Sequence, residues 1–193
     1  MNIYFFGGSF DPPHLGHLKM IETCFEKFDI SHFILIPVLQ SPLKKNKPIA
    51  SAFHRIEMLK IMIKDVKGKI IIDDYEVSKK SFSYTYDTIK HLKKKYPDDC
   101  FSMVLGKDQF LNIKKWKNYK KILNSVKIIV FNRLKKKEMI VDQIDTIQIN
   151  DFDFNISSRR IREKFNNCES VINDLPMKIN NYINKNQIYK IKQ

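Results

Sequence analysis

Cross-linking chemistry is scarce in this chain. Its 193 residues hold three cysteines, Cys24, Cys100 and Cys168. They are odd in number, far apart and without C-x-x-C spacing, which argues against a disulfide framework and a zinc site and predicts reduced, structural thiols. Arginine is scarce too. Arg55, Arg133, Arg159, Arg160 and Arg162 are the only ones, although Lys and Arg total 35 against 21 Asp and Glu, for a net charge of +14. The excess is therefore lysine, in a chain also heavy in Ile and Asn, the bias expected of an AT-rich coding sequence. Most lysines are expected on solvated faces. A nucleic-acid-binding module is the reading that charge alone invites. It is disfavoured because no recognisable nucleic-acid motif is present and the aromatics are not interleaved with an arginine stripe.

Long apolar stretches are missing as well. None is long enough to span a membrane, so no membrane partner is expected. The N-terminus has no basic region ahead of a long apolar segment, so a cleavable leader is not expected, and a cytoplasmic protein is the default. No internal repeat and no linker divides the chain. One domain over residues 1–193 is expected, with enough length for a sizeable core. Hydrophobic content of 43% and aromatic content of 12% fit a globular chain.

What is present is a regular alternation. Ile3–Phe6, His32–Pro37, Ile70–Ile72, Phe101–Leu105, Val126–Phe131 and Thr146–Ile149 read as strands. Between them lie helical patterns. One follows Ser51 with Phe53, Ile56, Leu59 and Ile63 as its expected apolar face. Another runs from Tyr84 to Tyr96, entered through Ser81–Ser83 and stopped by Pro97. Short helical stretches are expected around Phe110 to Trp116 and at Tyr119 to Leu123, with an exposed turn at Lys135–Glu138. Ser157 opens a later helix, and Pro176 a final one. Strands alternating with helices predict an α/β fold with a mainly parallel, Rossmann-like sheet and helices on both faces. Ligands of such sheets bind beyond the strand carboxyl ends, near a switch point, so the Gly7-Gly8 and Gly106 turns are candidate walls of one site.

The densest stretch is Gly7-Gly8-Ser9-Phe10-Asp11-Pro12-Pro13-His14-Leu15-Gly16-His17. It follows the first strand and enters a helix carrying Leu18, Met20, Ile21, Phe25 and Phe28. Glycines permit close backbone approach, and a helix N-terminus offers amide groups to an anion. His14 and His17 can face one phosphate from the first turn. A metal pair is the weaker alternative, because no third His or Cys stands at ligand spacing. Later, Ser157-Ser158 at a helix start and Arg162 one turn on read alone as an N-cap with a solvated arginine; coupled to the opening stretch they suit the phosphates of a triphosphate. Asp108, after Gly106, can accept bonds from sugar hydroxyls or is an ordinary turn aspartate, and the pattern alone does not choose between them. Trp116, the single tryptophan, offers a flat face for stacking, or lines the core.

This opening stretch resembles the signature of the H-x-G-H nucleotidyltransferases. With Ser83-Tyr84-Thr85-Tyr86-Asp87-Thr88, Gly106-Lys107-Asp108 followed by Trp116, and Ile156-Ser157-Ser158-Arg159-Arg160-Ile161-Arg162, the whole chain resembles the bacterial nicotinate mononucleotide adenylyltransferases. The resemblance implies a nucleotidyltransferase fold whose C-terminal helical part, from about residue 155, packs onto the sheet and contributes triphosphate contacts. It implies transfer of AMP from ATP to nicotinate mononucleotide, giving deamido-NAD and pyrophosphate in NAD biosynthesis. His14 and His17 would then be catalytic. Gly7, Gly8, Ser9, Phe10, Gly106, Asp108, Arg133, Ser157 and Arg162 would join them in binding ATP. Lys44, Thr85 and Trp116 would bind the mononucleotide. Mg²⁺ would ride on the ATP phosphates, with no metal held by the protein itself. A phosphopantetheine or nicotinamide mononucleotide adenylyltransferase, or a glycerol-phosphate cytidylyltransferase, is the nearest alternative. Both monomer and homodimer fit the sequence. The chain departs from the family at Ser41 and Leu43, where the family has Pro and His, at Lys107, where it has a small residue, and at Arg159, where it has Thr.

Overall fold

The structure is a computed structural model, and it describes residues 1–43, 46–79, 84–133, 144, 146–152 and 156–189. Its frame is a six-stranded sheet in the order β3-β2-β1-β4-β5-β6. The strands are β1 (Asn2–Gly8), β2 (His32–Pro37), β3 (Ile70–Ile72), β4 (Cys100–Gly106), β5 (Lys127–Arg133) and β6 (Thr146–Phe152). Every pairing is parallel. Strand order reverses between β1 and β4, which makes the crevice beyond their carboxyl ends the switch point of the sheet.

Alternate residues of one strand feed two cores. Tyr4 and Phe6 of β1 pack with Phe33 and Leu35 of β2 against α1 (Leu15–Lys27), α2 (Ala52–Ile63) and α8 (Met177–Lys185). Ile3 and Phe5 face the other way. They pack with Ile34 and Ile36 against α4 (Thr85–Lys95) and α6 (Tyr119–Leu123). This two-sided burial is why the strands read as unbroken apolar runs. The expected α/β fold, with a parallel Rossmann-like sheet and helices on both faces, is the fold observed.

Local chemistry sets the helix starts. Ser51 Oγ accepts from the His54 amide at 3.3 Å and caps α2. Ser157 Oγ does the same for the Arg160 amide at 3.3 Å and caps α7 (Ser158–Asn166). Gly68 turns the chain into β3 at φ +122°, with Phe25 packed where a Cβ would stand.

Two expectations need correction. The buried face of α2 is Arg55, Met58, Leu59 and Met62, not Phe53, Ile56, Leu59 and Ile63. Phe53 is 65% exposed. The helix is turned by Arg55, whose guanidinium is drawn inward by two backbone carbonyls. The thiols also divide: Cys24 is buried, while Cys100 and Cys168 are exposed. A one-turn helix, α3 (Tyr75–Ser78), was not expected at all, and α5 (Lys107–Phe110) and a 3₁₀ turn (Ile113–Lys115) fill the short helical region before Trp116. Ser81–Ser83 and Lys135–Glu138 lie outside the described residues. Among the described residues, no helix is long and apolar enough to cross a membrane.

Candidate active site

The chain leaves β1 through Gly7 and Gly8 and doubles under itself. Phe10 adopts φ 47° and is buried. Its ring lies beneath Gly8, and a Cβ on Gly8 would meet it at 3.0–3.2 Å. So Gly8 is small to admit Phe10, a packing reason as much as a ligand one. Phe10 and Phe6 together wall His17, with ring centroids 5.1 and 5.6 Å from the imidazole.

His14 is the extended residue that precedes α1, and its buried imidazole stacks on that of His17 at 3.6 Å and 22°. The His14 amide donates to His17 Nδ1 at 3.2 Å. A ring that accepts at Nδ1 carries its proton on Nε2 when neutral. The pair thus sits at the start of α1 with its tautomer set by the backbone, and the amide ends of the helix add a positive local potential.

Behind this turn lies a network that the sequence did not announce. Asp11 is 3% exposed. Its carboxylate accepts from the Ile49 amide at 2.8 Å, the Ala50 amide at 2.9 Å and the Tyr189 hydroxyl at 2.8 Å. Arg162 Nη1 donates to the Asp11 carbonyl at 2.6 Å and stands 3.5 Å from its carboxylate. Ser158 Oγ donates to the Pro12 carbonyl at 2.8 Å. Arg55, buried to 2% exposure, donates to the carbonyls of Ser9 and Val38 at 2.7 and 2.8 Å. Burial lowers its pKa, while Asp11 and Tyr189 oppose that. Burial first, then Asp11, raises the Tyr189 hydroxyl far above its ordinary value, so it stays a donor. Four chain segments therefore grip the loop from Ser9 to Pro12.

Beside that loop a cavity of about 610 Å³ opens at the switch point. Gly7, Gly8 and Ser9 form one edge, and Phe5, Ile36, Met103 and Leu105 form an apolar floor. Tyr84, Thr85 and Thr88 at the start of α4 make one wall, and Asp108, Lys115, Trp116 and Lys117 make another. Lys117 Nζ stands 4.4 Å over the Tyr84 ring, a cation–π contact that ties the two walls.

The sequence-derived residues thus fall into two groups. Gly7, Gly8, Ser9, Thr85, Asp108 and Trp116 share the cavity. His14, His17, Phe10, Ser157 and Arg162 gather around the Ser9–Pro12 loop, where α1 and α7 begin, and are not among the residues that line the cavity. Gly106 precedes α5, and a Cβ there would meet nothing within 4 Å. Lys44 and the side chain of Arg133 lie outside the described residues. Of the family departures, Ser41 and Leu43 line the cavity, and Arg159 is 84% exposed and pairs with Glu163 at 2.9 Å, away from the site. Among the described residues, no three His, Cys, Asp or Glu side chains converge to hold a metal.

Two acidic residues near the cavity were missed. Glu76, in α3, lines it and is 5% exposed. Thr88 Oγ1 donates to its carboxylate. Burial raises its pKa to about 7, against a lowering by the Thr88 bond and Lys79. Asp73 is as buried, yet bonds from Lys95, the Tyr75 amide and His91 overcome its burial and hold it below its ordinary value. Nothing in their spacing marked these two as different; only the count of cations around each does.

Residues 5–164 match the cytidylyltransferase-like family. The "Probable nicotinate-nucleotide adenylyltransferase" of Clostridium acetobutylicum is 37% identical over 196 residues, 95% of this chain and 96% of its own. That of Aquifex aeolicus is 41% identical over 160 residues, 81% of this chain and 94% of its own. In three dimensions the chain is similar to the Plasmodium falciparum nicotinic acid mononucleotide adenylyltransferase complexed with NaAD, with a TM-score of 0.84 at 24% identity over 97% of each chain.

Proposed function

The chain belongs to the nicotinate-nucleotide adenylyltransferases, within the cytidylyltransferase-like family, and from that premise we propose that it transfers AMP from ATP to nicotinate mononucleotide. The products are deamido-NAD and pyrophosphate, a step of NAD biosynthesis. The observation that supports this reading best is the cavity at the β1/β4 switch point, whose lining includes both a glycine turn suited to phosphates and an indole suited to a pyridine ring.

In this reading the 5′-phosphate of the mononucleotide attacks the α-phosphorus of ATP in line. A new P–O bond forms as the bond to the β-phosphate oxygen breaks, and pyrophosphate leaves. The nucleophile is already an anion, so no base and no covalent enzyme intermediate are needed. Catalysis is positioning together with stabilisation of charge on the α-phosphate. His17, with its proton on Nε2, donates to an α-phosphate oxygen as charge builds there, and His14 supports it. Ser157 and Arg162 grip the departing pyrophosphate; Arg162 Nη1 is committed to Asp11, and the rest of the guanidinium fork faces the phosphates. Gly7, Gly8, Ser9 and Phe10 shape the phosphate turn, Gly106 and Asp108 receive the ribose, and Arg133 stands beside the adenine. Thr85 and Trp116 receive the nicotinate ring, with Lys44 on the mononucleotide phosphate.

Mg²⁺ enters as the companion of ATP. The donor set fits an ion carried by the triphosphate rather than caged by carboxylates: Asp11 is already filled by two amides and a hydroxyl, and a small hard ion keeps most of its waters. Such an ion supplies charge neutralisation on the phosphate oxygens. The chain works as a single unit over residues 1–193, in the cytoplasm, where ATP and the mononucleotide are both found.

The test is direct. Purified protein is incubated with ATP, Mg²⁺ and nicotinate mononucleotide, and dinucleotide and pyrophosphate are measured together. Stoichiometric formation of both is expected. Absence of dinucleotide at saturating substrates would refute the reading.

A further inference from the structure

Glu76 has no part in the chemistry described above, yet it occupies an unusual place. It is a carboxyl at 5% exposure whose residue forms part of the cavity wall. Its hydrogen-bond donor is Thr88 Oγ1, and Thr88 also lines the cavity, one turn along α4 from Thr85. The carboxyl is therefore tied to the same helix start that, in the proposed function, receives the nicotinate ring. An anionic ring substituent and an ionised Glu76 within one apolar-floored cavity repel each other with little water to screen them. A neutral Glu76 removes that repulsion. An ionised Glu76 is instead a good acceptor for the N–H groups of a carboxamide.

We propose that Glu76 is a specificity-determining residue of the mononucleotide pocket, favouring the acid form of the pyridine ring when protonated and the amide form when ionised. This deepens the proposed function and rests on it. The charged groups around Glu76 agree with the assignment. Lys79, which ends α3, draws it toward ionisation, while Asp87 on α4 opposes ionisation. The other charged or titratable residues that line the cavity are Asp108, Lys115, Lys117 and Tyr84. The neighbouring Asp73 is paired with Lys95 and bonded to His91 on α4, so the Lys95 cation is spent on Asp73. Glu76 alone among the acidic residues of the wall is both enclosed and without a cation of its own at hydrogen-bond distance among the described residues. Its transition to about 7 lies inside the range in which the enzyme can be assayed.

The experiment measures kcat/KM for nicotinate mononucleotide and for nicotinamide mononucleotide at saturating ATP and Mg²⁺, from about pH 6 to 8.5. Ionisation of the shared 5′-phosphate affects both substrates and cancels in the ratio. In the wild type the acid-to-amide ratio is expected to fall by roughly tenfold as pH rises through about 7. In Glu76→Gln the ratio becomes flat with pH. In Asp87→Asn, which removes a like charge, the fall moves to lower pH. A flat ratio in the wild type, or a fall that persists in Glu76→Gln, overturns the proposal while leaving the proposed function standing. Failure of nicotinate mononucleotide to react at any pH overturns both, and failure of the amide alone to react at any pH overturns only the proposal.

Discussion

His17 is the side chain with the most defined setting in the site. Two phenylalanine rings hold its faces, His14 stacks on it, and a backbone amide fixes Nδ1 as the acceptor. Its proposed work is a single hydrogen bond that strengthens as charge builds on the α-phosphate. His17→Ala is therefore expected to lower kcat at least about a hundredfold, like loss of an oxyanion-hole donor, with a modest change in ATP affinity. Steady-state kinetics with ATP titrated in parallel checks this, and a variant of near wild-type kcat would remove His17 from the mechanism. Glu76 gives a second prediction, on stability. Its folded pKa of about 7 lies above the ordinary value of 4.5. The native state therefore holds a proton that the unfolded chain has released. Its contribution is fully present below the unfolded value and is lost as pH rises through about 7. Glu76→Gln removes that loss, so it should be more stable than the wild type at pH 8.5 by about 2 kcal/mol, and by far less at pH 5. Urea denaturation at the two pH values reads the difference; equal shifts at both would show that the charge is not the cause.

Helix α7 shows how one element carries two duties. Ser157 caps it through the Arg160 amide, and one turn later Arg162 holds the Asp11 carbonyl. Ser157→Ala should cost about 1 kcal/mol through the lost cap, seen as a lower thermal midpoint. It should also raise KM for ATP more than KM for the mononucleotide, because the grip is on the triphosphate side; equal changes in the two would count against that side. The strands and most helices were legible in the sequence, because a parallel sheet buried on both faces demands unbroken apolar runs and because Ser51, Ser157, Pro97 and Pro176 punctuate the helices with specific chemistry. α3 was not, since four residues carry no period. The face of α2 was misjudged for a physical reason. Hydropathy sorts Arg55 outward, whereas two carbonyls turn it inward and carry Met58, Leu59 and Met62 with it. The residues of the site were visible as a motif. Its bracing was not, because Asp11, Arg55 and Tyr189 meet only in three dimensions.

The whole molecule carries a net charge of +14, and Lys115 and Lys117 stand on the cavity rim. Both substrates are anions. Encounter should therefore be steered, and kcat/KM for ATP should fall several-fold as salt rises from about 0.05 to 0.3 M, with kcat much less affected. An initial-rate series in a non-coordinating salt checks this; no dependence would assign the lysines to solvation alone. The sheet, for its part, supplies the site from both ends of the chain. Asp11 stands in the first loop after β1, yet the hydroxyl on its carboxylate comes from Tyr189, 178 positions later. Ribosomal synthesis delivers these two partners in a fixed sequence. The glycine turn and the histidines emerge first and must wait for Tyr189 before the loop beneath them is clamped. A nascent chain thus carries the glycine–histidine motif early but completes its brace only once Tyr189 has emerged, so shorter products hold that loop loosely.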